Sequence, residues 1–182
     1  MNYREATISD LEGIVKVKVD TWKTTYTGII SEEYLQRLSY GEKEENWRQR
    51  LENPTHGAKI FVAENEYQEI VGFALATLEK YNPILALQQP EKFVGELCAI
   101  YVLKDFQGKK VGTELVKLVI EYFITNDVKS MIVWVLKENP SDRFYEKLGG
   151  KYLGKQSIEI GRKKYIEKAY GWENIEAILL NF

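Results

Sequence analysis

The sequence is poor in cysteine, histidine and proline. Of its 182 residues one is Cys98, one is His56 and 4 are proline. A single cysteine excludes an internal disulfide and any cysteine-built metal cluster. His56 stands in the turn-like stretch "NPTHG", which suits a solvated loop better than a catalytic base or metal ligand. No apolar run approaches the ~18 residues of a membrane span. The start, "MNYREATISDLEGI", turns acidic early and lacks an apolar central segment, so it does not read as a signal peptide. A broad excess of positive charge is missing too. The net charge is −2 and the pI is near 5.7, which argues against a surface that tracks nucleic-acid phosphates. The expected setting is the cytoplasm, with neither a membrane nor a nucleic acid as partner.

What is present reads as an ordinary globular chain. Apolar residues make up 45% and charged residues 29%. One domain over residues 1–182 is expected, long enough to bury roughly 70% of its unfolded surface. "NYREA" reads as a first strand. Ser9 and Glu12 form a capping-box pattern before a helix with Leu11, Ile14, Val15 and Trp22 on one face. A second helix restarts at Ser31, and "GEKEENWRQRLEN" is a third, polar one. "AKIFVAE" and "EIVGFALATLE" make a hairpin, followed by a loop with Pro83 and Pro90. "KFVGELCAIYVL" is nearly continuous apolar sequence and reads as a central strand buried on both faces.

Leu115, Leu118, Val119, Tyr122 and Phe123 then recur at helical spacing. "SMIVWVL" is a buried strand and "PSDRFYEKLGG" a helix, with Pro140 early and glycine at its end. "KYLGKQSIEI" and "KKYIEKAYGW" close as a β pair around "GRK". The expected class is α/β: a mixed, mostly antiparallel sheet flanked by helices, with at least one parallel strand–helix–strand unit.

The junction "DFQGKKVGTELVKLVIEYF" carries the first chemical signal. A strand runs into a glycine-bearing elbow, and the elbow opens a helix. The first turn of a helix leaves backbone N–H groups unpaired and carries partial positive charge. Gly108 and Gly112 permit close approach, and Lys109 and Lys110 add charge, so the elbow suits a polyphosphate. A plain turn with solvated lysines is the competing reading. The stretch is neither a Walker A loop nor a G-x-G-x-x-G fingerprint.

Two further stretches join it. "ELCAIYV" leads into the elbow, and "ENPSDRFYEKLGG" follows after the next strand. Together the three resemble the GNAT superfamily of N-acetyltransferases. That family's elbow reads Gln/Arg-x-x-Gly-x-Gly/Ala. Here it is Gln107-Gly108-Lys109-Lys110-Val111-Gly112, with Lys110 in place of the middle glycine. The resemblance runs from the first strand to about residue 170. It implies acetyl-CoA as acyl donor and no metal. The donor's pantetheine arm would bond the backbone of Ile100, Tyr101 and Val102. Its pyrophosphate would sit on Gln107, Gly108, Lys109, Lys110, Val111, Gly112 and Thr113, and Asn139 would contact it from the next strand's end.

The implied reaction is attack of a primary amine on a thioester. An alkyl amine of pKa near ~10.4 is almost wholly protonated at neutral pH, so a general base helps. Glu96 matches a position where many family members carry a carboxylate; a surface ion pair is its alternative. Tyr145 matches the family tyrosine that protonates the leaving thiolate; a packed core aromatic is its alternative. A backbone N–H near Ile100 would hold the oxyanion. Trp22 and Tyr26 fall in the segment that walls the acceptor amine in relatives, though Trp22 equally suits core packing. Cys98 reads as a small buried strand residue, with no activating partner in sight. The acceptor is a small-molecule or peptide amine, and the chain a monomer or homodimer. The rival readings are a non-catalytic acyl-CoA sensor on the same fold and a nucleotide-binding domain of another fold.

Overall fold

The computed structural model describes residues 1–79 and 92–181. The loop with Pro83 and Pro90 lies outside them. The strands are β1 (Asn2–Glu5), β2 (Lys59–Glu64), β3 (Ile70–Thr77), β4 (Gly95–Val102), β5 (Met131–Leu136), β6 (Lys151–Ile160) and β7 (Lys163–Trp172). The helices are α1 (Leu11–Thr25), α2 (Glu32–Arg37), α3 (Tyr40–Glu52), α4 (Val111–Thr125) and α5 (Asp142–Lys147). Among the described residues no helix is long and apolar enough to cross a membrane.

The seven strands form one sheet in the order β1-β2-β3-β4-β5-β7-β6. Every pairing is antiparallel except β4 with β5. The expected mixed sheet with one parallel unit is therefore present, and α4 is its crossover. One face packs on α4 and α5. There Val111, Leu115, Val116, Val119, Ile120 and Phe123 lock α4 onto the sheet. Leu118 and Tyr122, expected in that stripe, sit at its half-exposed margin. The other face packs on α1 and α3 through Ile14, Val15, Val17, Phe73 and Leu75. The polar-looking α3 is anchored by Trp47, whose ring meets Phe73 edge-on at 5.0 Å.

Two local readings change and one element is added. The start of α1 is organised by Thr7 and Asp10 rather than by Ser9 and Glu12. A 3₁₀ turn, Ile8–Asp10, precedes the helix, and the Thr7 N–H donates to the Asp10 carboxylate at 2.8 Å. Arg4 decides this choice, gripping Asp10 with two bonds of 2.7 and 2.8 Å and holding its carboxyl below the usual range. The added element is at the C-terminus, where Ile175–Asn181 forms a 3₁₀ segment. Ile175 and Ile178 are fully buried, three apart as that helix's period requires. The second change concerns β4, which is not buried on both faces: from Cys98 onward it is half-exposed. The apolar run implies burial in a core, but much of it lines an opening.

That opening follows from the register. β4 and β5 pair only at Gly95–Met131, Glu96–Ile132 and Leu97–Val133. Beyond this short seam the two strands part. On the other side of β4 the pairing with β3 slips between Leu75 and Ala76, leaving Cys98 without an opposite residue. Such a bulge bends a strand and re-aims its side chains. Cys98 and Ala99 consequently both contact the α1-side core, whereas Ile100 and Val102 turn to the α4 side.

Candidate active site

The gap between β4 and β5 is a cleft of about 720 Å³, a typical volume for a small-molecule site. One end is the elbow after β4. Its backbone tightens through a 3₁₀ turn at Lys104–Phe106. Gln107 then ties the elbow to the strand, its side-chain amide donating to the Val102 carbonyl at 2.9 Å. Gly108 takes φ +71°, and Lys110 takes φ +63° directly before α4. The first helical bond runs from Glu114 N–H to the Lys110 carbonyl at 3.0 Å. No side chain caps this end, so the leading N–H groups of a 15-residue helix are left facing the elbow. A donor-rich terminus of this kind suits an anion.

Gly112 fits that reading for a separate reason. It lies in the first turn of α4, where glycine costs helix stability. A Cβ there would meet Phe144 at 3.6 Å, an ordinary contact. The protein itself therefore does not require glycine at this position, whereas a ligand approaching the backbone would. The lining includes Gln107, Gly108, Lys110, Val111, Gly112 and Thr113. Lys109 is not part of it; its ammonium lies 5.4 Å from the centre of the Phe106 ring.

The middle of the cleft is the parted edge of β4 at Ile100, Tyr101 and Val102, faced by α5. Tyr145 of α5 is 5% exposed and lines the cleft. Its ring stacks on Tyr170 at 6.2 Å and meets Phe144 and Trp172 edge-on at 5.4 and 6.5 Å. Burial, with Tyr26 as a lesser cause, lifts its phenol above the usual range, so it keeps its proton at neutral pH. The α5 turn is fixed in turn by Trp172, whose indole donates to the Leu148 carbonyl at 2.9 Å. Gly150 leaves room for that ring, since a Cβ there would fall 2.6 Å from it.

Asn139 sits between β5 and α5 and is 6% exposed. Its carbonyl oxygen accepts the Ser141 N–H at 3.0 Å, and its amide reaches the Tyr26 hydroxyl at 3.4 Å. Asn139 thus joins the α5 turn to the end of α1. It also borders the cleft.

The far end lies on the α1 face. Glu96 lines it from β4 and faces the same side as its partners Thr77 and Ile132. Cys98 lies beside it, with its sulfur 3.4 Å from the Thr77 hydroxyl and 3.7 Å from the Glu96 carbonyl oxygen. Burial, and then the Glu96 charge, push this thiol up to about 12. A thiol so held is a packing residue and not a nucleophile. Trp22 and Tyr26 form the α1 wall, edge to face at 4.9 Å. One face of Trp22 already carries the Lys18 ammonium at 3.8 Å, and that ammonium also donates to the Tyr101 hydroxyl at 2.9 Å.

The structure also brings in residues that sequence reasoning passed over. Thr21, Trp134, Gln156 and Glu167 all line the cleft. Glu167 stands opposite Leu136 on β5 and opposite Gln156 on β6. Directly opposed residues share a face, so all three look toward α1. A signal was available in "KKYIEKAYGW". Tyr165, Glu167 and Ala169 alternate inward while Ile166 is exposed, a carboxylate in an apolar position. His56 lies outside the cleft and pairs with Glu79 at 3.4 Å. Among the described residues no three His, Cys, Asp or Glu side chains are grouped to hold a metal ion.

Comparison with known proteins gives this geometry a family. Residues 21–150 match the model of the acetyltransferase (GNAT) family. A Bacillus subtilis (strain 168) protein, "Uncharacterized N-acetyltransferase YuaI", is 36% identical over 180 residues, covering 98% of this chain and 97% of its own. Among solved structures, a GCN5-related N-acetyltransferase from Rhodopseudomonas palustris superposes with TM-score 0.71 at 18% identity, covering 93% of each chain. PaiA N-acetyltransferase from Thermoplasma acidophilum, in complex with coenzyme A, gives 0.65 at 21% identity, covering 92% of this chain and 96% of that one.

Proposed function

The chain belongs to the GNAT family of N-acetyltransferases, and we propose that it moves an acetyl group from acetyl-CoA to a primary amine by direct attack. The observation that carries this reading is the parting of β4 from β5 after three residue pairs, next to an uncapped helix end. The elbow, Gln107 to Thr113, would hold the pyrophosphate, with Lys109 contributing only long-range charge. The backbone of Ile100, Tyr101 and Val102 would pair with the pantetheine arm. Asn139 borders the same channel.

Each protein group then has one task. Glu96 takes a proton from the amine, directly or through water, as the nitrogen bonds to the acyl carbon. The Ile100 N–H steadies the oxygen that gathers negative charge. Tyr145 gives its phenolic proton to the departing sulfur as the carbon–sulfur bond breaks. Solvent then returns a proton from Glu96 to Tyr145. The acceptor is a small-molecule or peptide amine, bounded by Trp22 and Tyr26. Residues 1–182 act as one catalytic domain in the cytoplasm, as a monomer or as a homodimer through the β6 edge.

Two measurements test this. A thousandfold excess of CoA over its dissociation constant should stabilise the fold by about 4 kcal/mol in a thermal-shift titration. A panel of primary amines with acetyl-CoA should release thiol. No stabilisation by CoA would sink the donor assignment. Stabilisation without thiol release from any amine would leave an acyl-CoA-binding module.

A further inference from the structure

The α1 end of the cleft has a charge character that the reaction alone does not explain. Its lining holds two carboxylates, Glu96 and Glu167, and among the described residues its only basic side chain is Lys110, which belongs to the opposite, elbow end. Lys18, the nearest cation on α1, is engaged by the Trp22 and Tyr101 rings and is not part of the lining. Among the described residues Glu167 has one hydrogen-bond partner: the Gln156 side-chain amide donates to it at 2.7 Å. No Lys or Arg among the described residues pairs with it; the adjacent Lys168 points the other way and is held by Asp142 at 2.7 Å. A half-buried carboxylate with a single neutral donor is a costly arrangement unless something cationic completes it. Burial accordingly draws its proton affinity upward. A second observation lies on the same wall. Thr21 is 4% exposed, lines the cleft, and its hydroxyl oxygen has no hydrogen-bond partner among the described residues.

The register sets the spacing. Glu96 is level with Ile132 and Glu167 with Leu136, so the two carboxylates are four residues apart along β5. At ~3.3 Å per residue this is roughly 13 Å along the strand, and β4 and β7 lie two strand spacings of about 4.8 Å apart across it. A compact amine at Glu96 cannot also reach Glu167. A linear one can.

On the reading of this cleft as the acyl-transfer site, we propose that Glu167, held by Gln156, binds a second cationic group of the acceptor. The acceptor class is then a linear diamine or longer polycation, with its reacting nitrogen near Glu96 and its distal ammonium at Glu167. An acceptor carrying a carboxylate or phosphonate beside its amine would meet two like charges here and is disfavoured. Glu167 is a specificity residue in this arrangement and takes no part in proton transfer.

The test compares 1,8-diaminooctane with n-octylamine, the same eight-carbon chain with and without the distal ammonium. The wild-type protein should show a KM for the diamine at least ~10-fold lower, since a paired, partly buried charge is being formed. Glu167→Gln should raise the diamine KM by a similar factor, leave the n-octylamine KM unchanged, and alter kcat for neither. Gln156→Ala should shift the diamine KM in the same direction by less. CoA-induced thermal stabilisation, measured on each variant, reports folding and donor binding independently. Equal use of both amines by the wild-type protein, or failure to acetylate either while CoA still binds, would overturn the proposal without touching the donor assignment. A kcat loss shared by both amines in Glu167→Gln would overturn it in favour of a base role. The wild-type comparison stands even if the variants fail to fold.

Discussion

The two ends of the cleft are built in opposite ways. The elbow end is contiguous: Gln107 to Thr113 supply backbone N–H groups, one positive-φ glycine and an uncapped helix terminus. The α1 end is assembled from Thr21 on α1, Tyr26 at that helix's C-cap, Glu96 on β4, Gln156 on β6 and Glu167 on β7. A site made of main chain needs a local conformation, and local conformation is written in a short motif. A site made of side chains needs elements to meet, and that depends on register and packing far along the chain.

The largest expected effect separates chemistry from binding at the point where the two ends join. Tyr145→Phe keeps the ring among Tyr170, Phe144 and Trp172 and removes only the hydroxyl. Turnover should fall ~10²–10⁴-fold, the usual range for a general acid, with acetyl-CoA affinity nearly intact. Wild-type turnover would remove Tyr145 from the mechanism. Because burial raises this phenol, its ultraviolet titration should begin above the ordinary tyrosine pKa of ~10.

The next pair tests whether the elbow end is truly a main-chain site. Gly112→Ala should weaken CoA binding by ~10-fold or more with little change in melting temperature, because the protein leaves room for a Cβ there. Gly108→Ala should do the reverse. Its φ of +71° strains any other residue, so stability should fall by about 1 kcal/mol while CoA affinity changes less. Melting curves with and without CoA read both. Identical behaviour of the two variants would place the phosphates elsewhere.

Glu96→Gln probes the α1 end. Activity should fall at neutral pH and recover as rising pH leaves more of the amine neutral by itself. A loss that is the same at every pH would make Glu96 a positioning group. The smallest effect concerns Lys110, which holds a left-handed φ of +63° where the family's elbow has glycine. Lys110→Gly should gain ~0.5–1 kcal/mol, a rise of roughly 1–4 °C in Tm, while Lys110→Ala should gain nothing.

The same contrast explains what could be read in advance. The sheet class, the crossover helix α4 and the elbow were legible because each rests on local periodicity or on adjacent residues. The stripe of α4 was placed half a face off, since Leu118 and Tyr122 look apolar enough for a core they only border. Thr7 and Asp10 displaced Ser9 and Glu12 at the start of α1 because Arg4, from a neighbouring strand, selects the acid. The apolar run of β4 has the composition of a strand buried on both faces; only the early end of the β4–β5 pairing shows that it lines a cleft. Glu167 and Gln156 were missed because no local pattern says which face of a late hairpin meets a helix formed 130 residues earlier.

The three-pair seam between β4 and β5 also sets when the cleft comes into being. Its partners are separated in sequence by all of α4, so the contact is among the costlier ones to close. The β6–β7 hairpin, joined through Gly161 and Arg162, needs only neighbours and can form early. It docks on β5 through β7, which is synthesised after both β5 and β6. At ~5–20 residues per second, several seconds pass between synthesis of the elbow and synthesis of the strand that supplies Glu167. During that interval the nascent chain carries a phosphate-ready helix end but no enclosed channel. A chain stopped before β7 would therefore lack the Glu167 side of the cleft, and its emerging β5 edge would be open to pairing with another nascent chain.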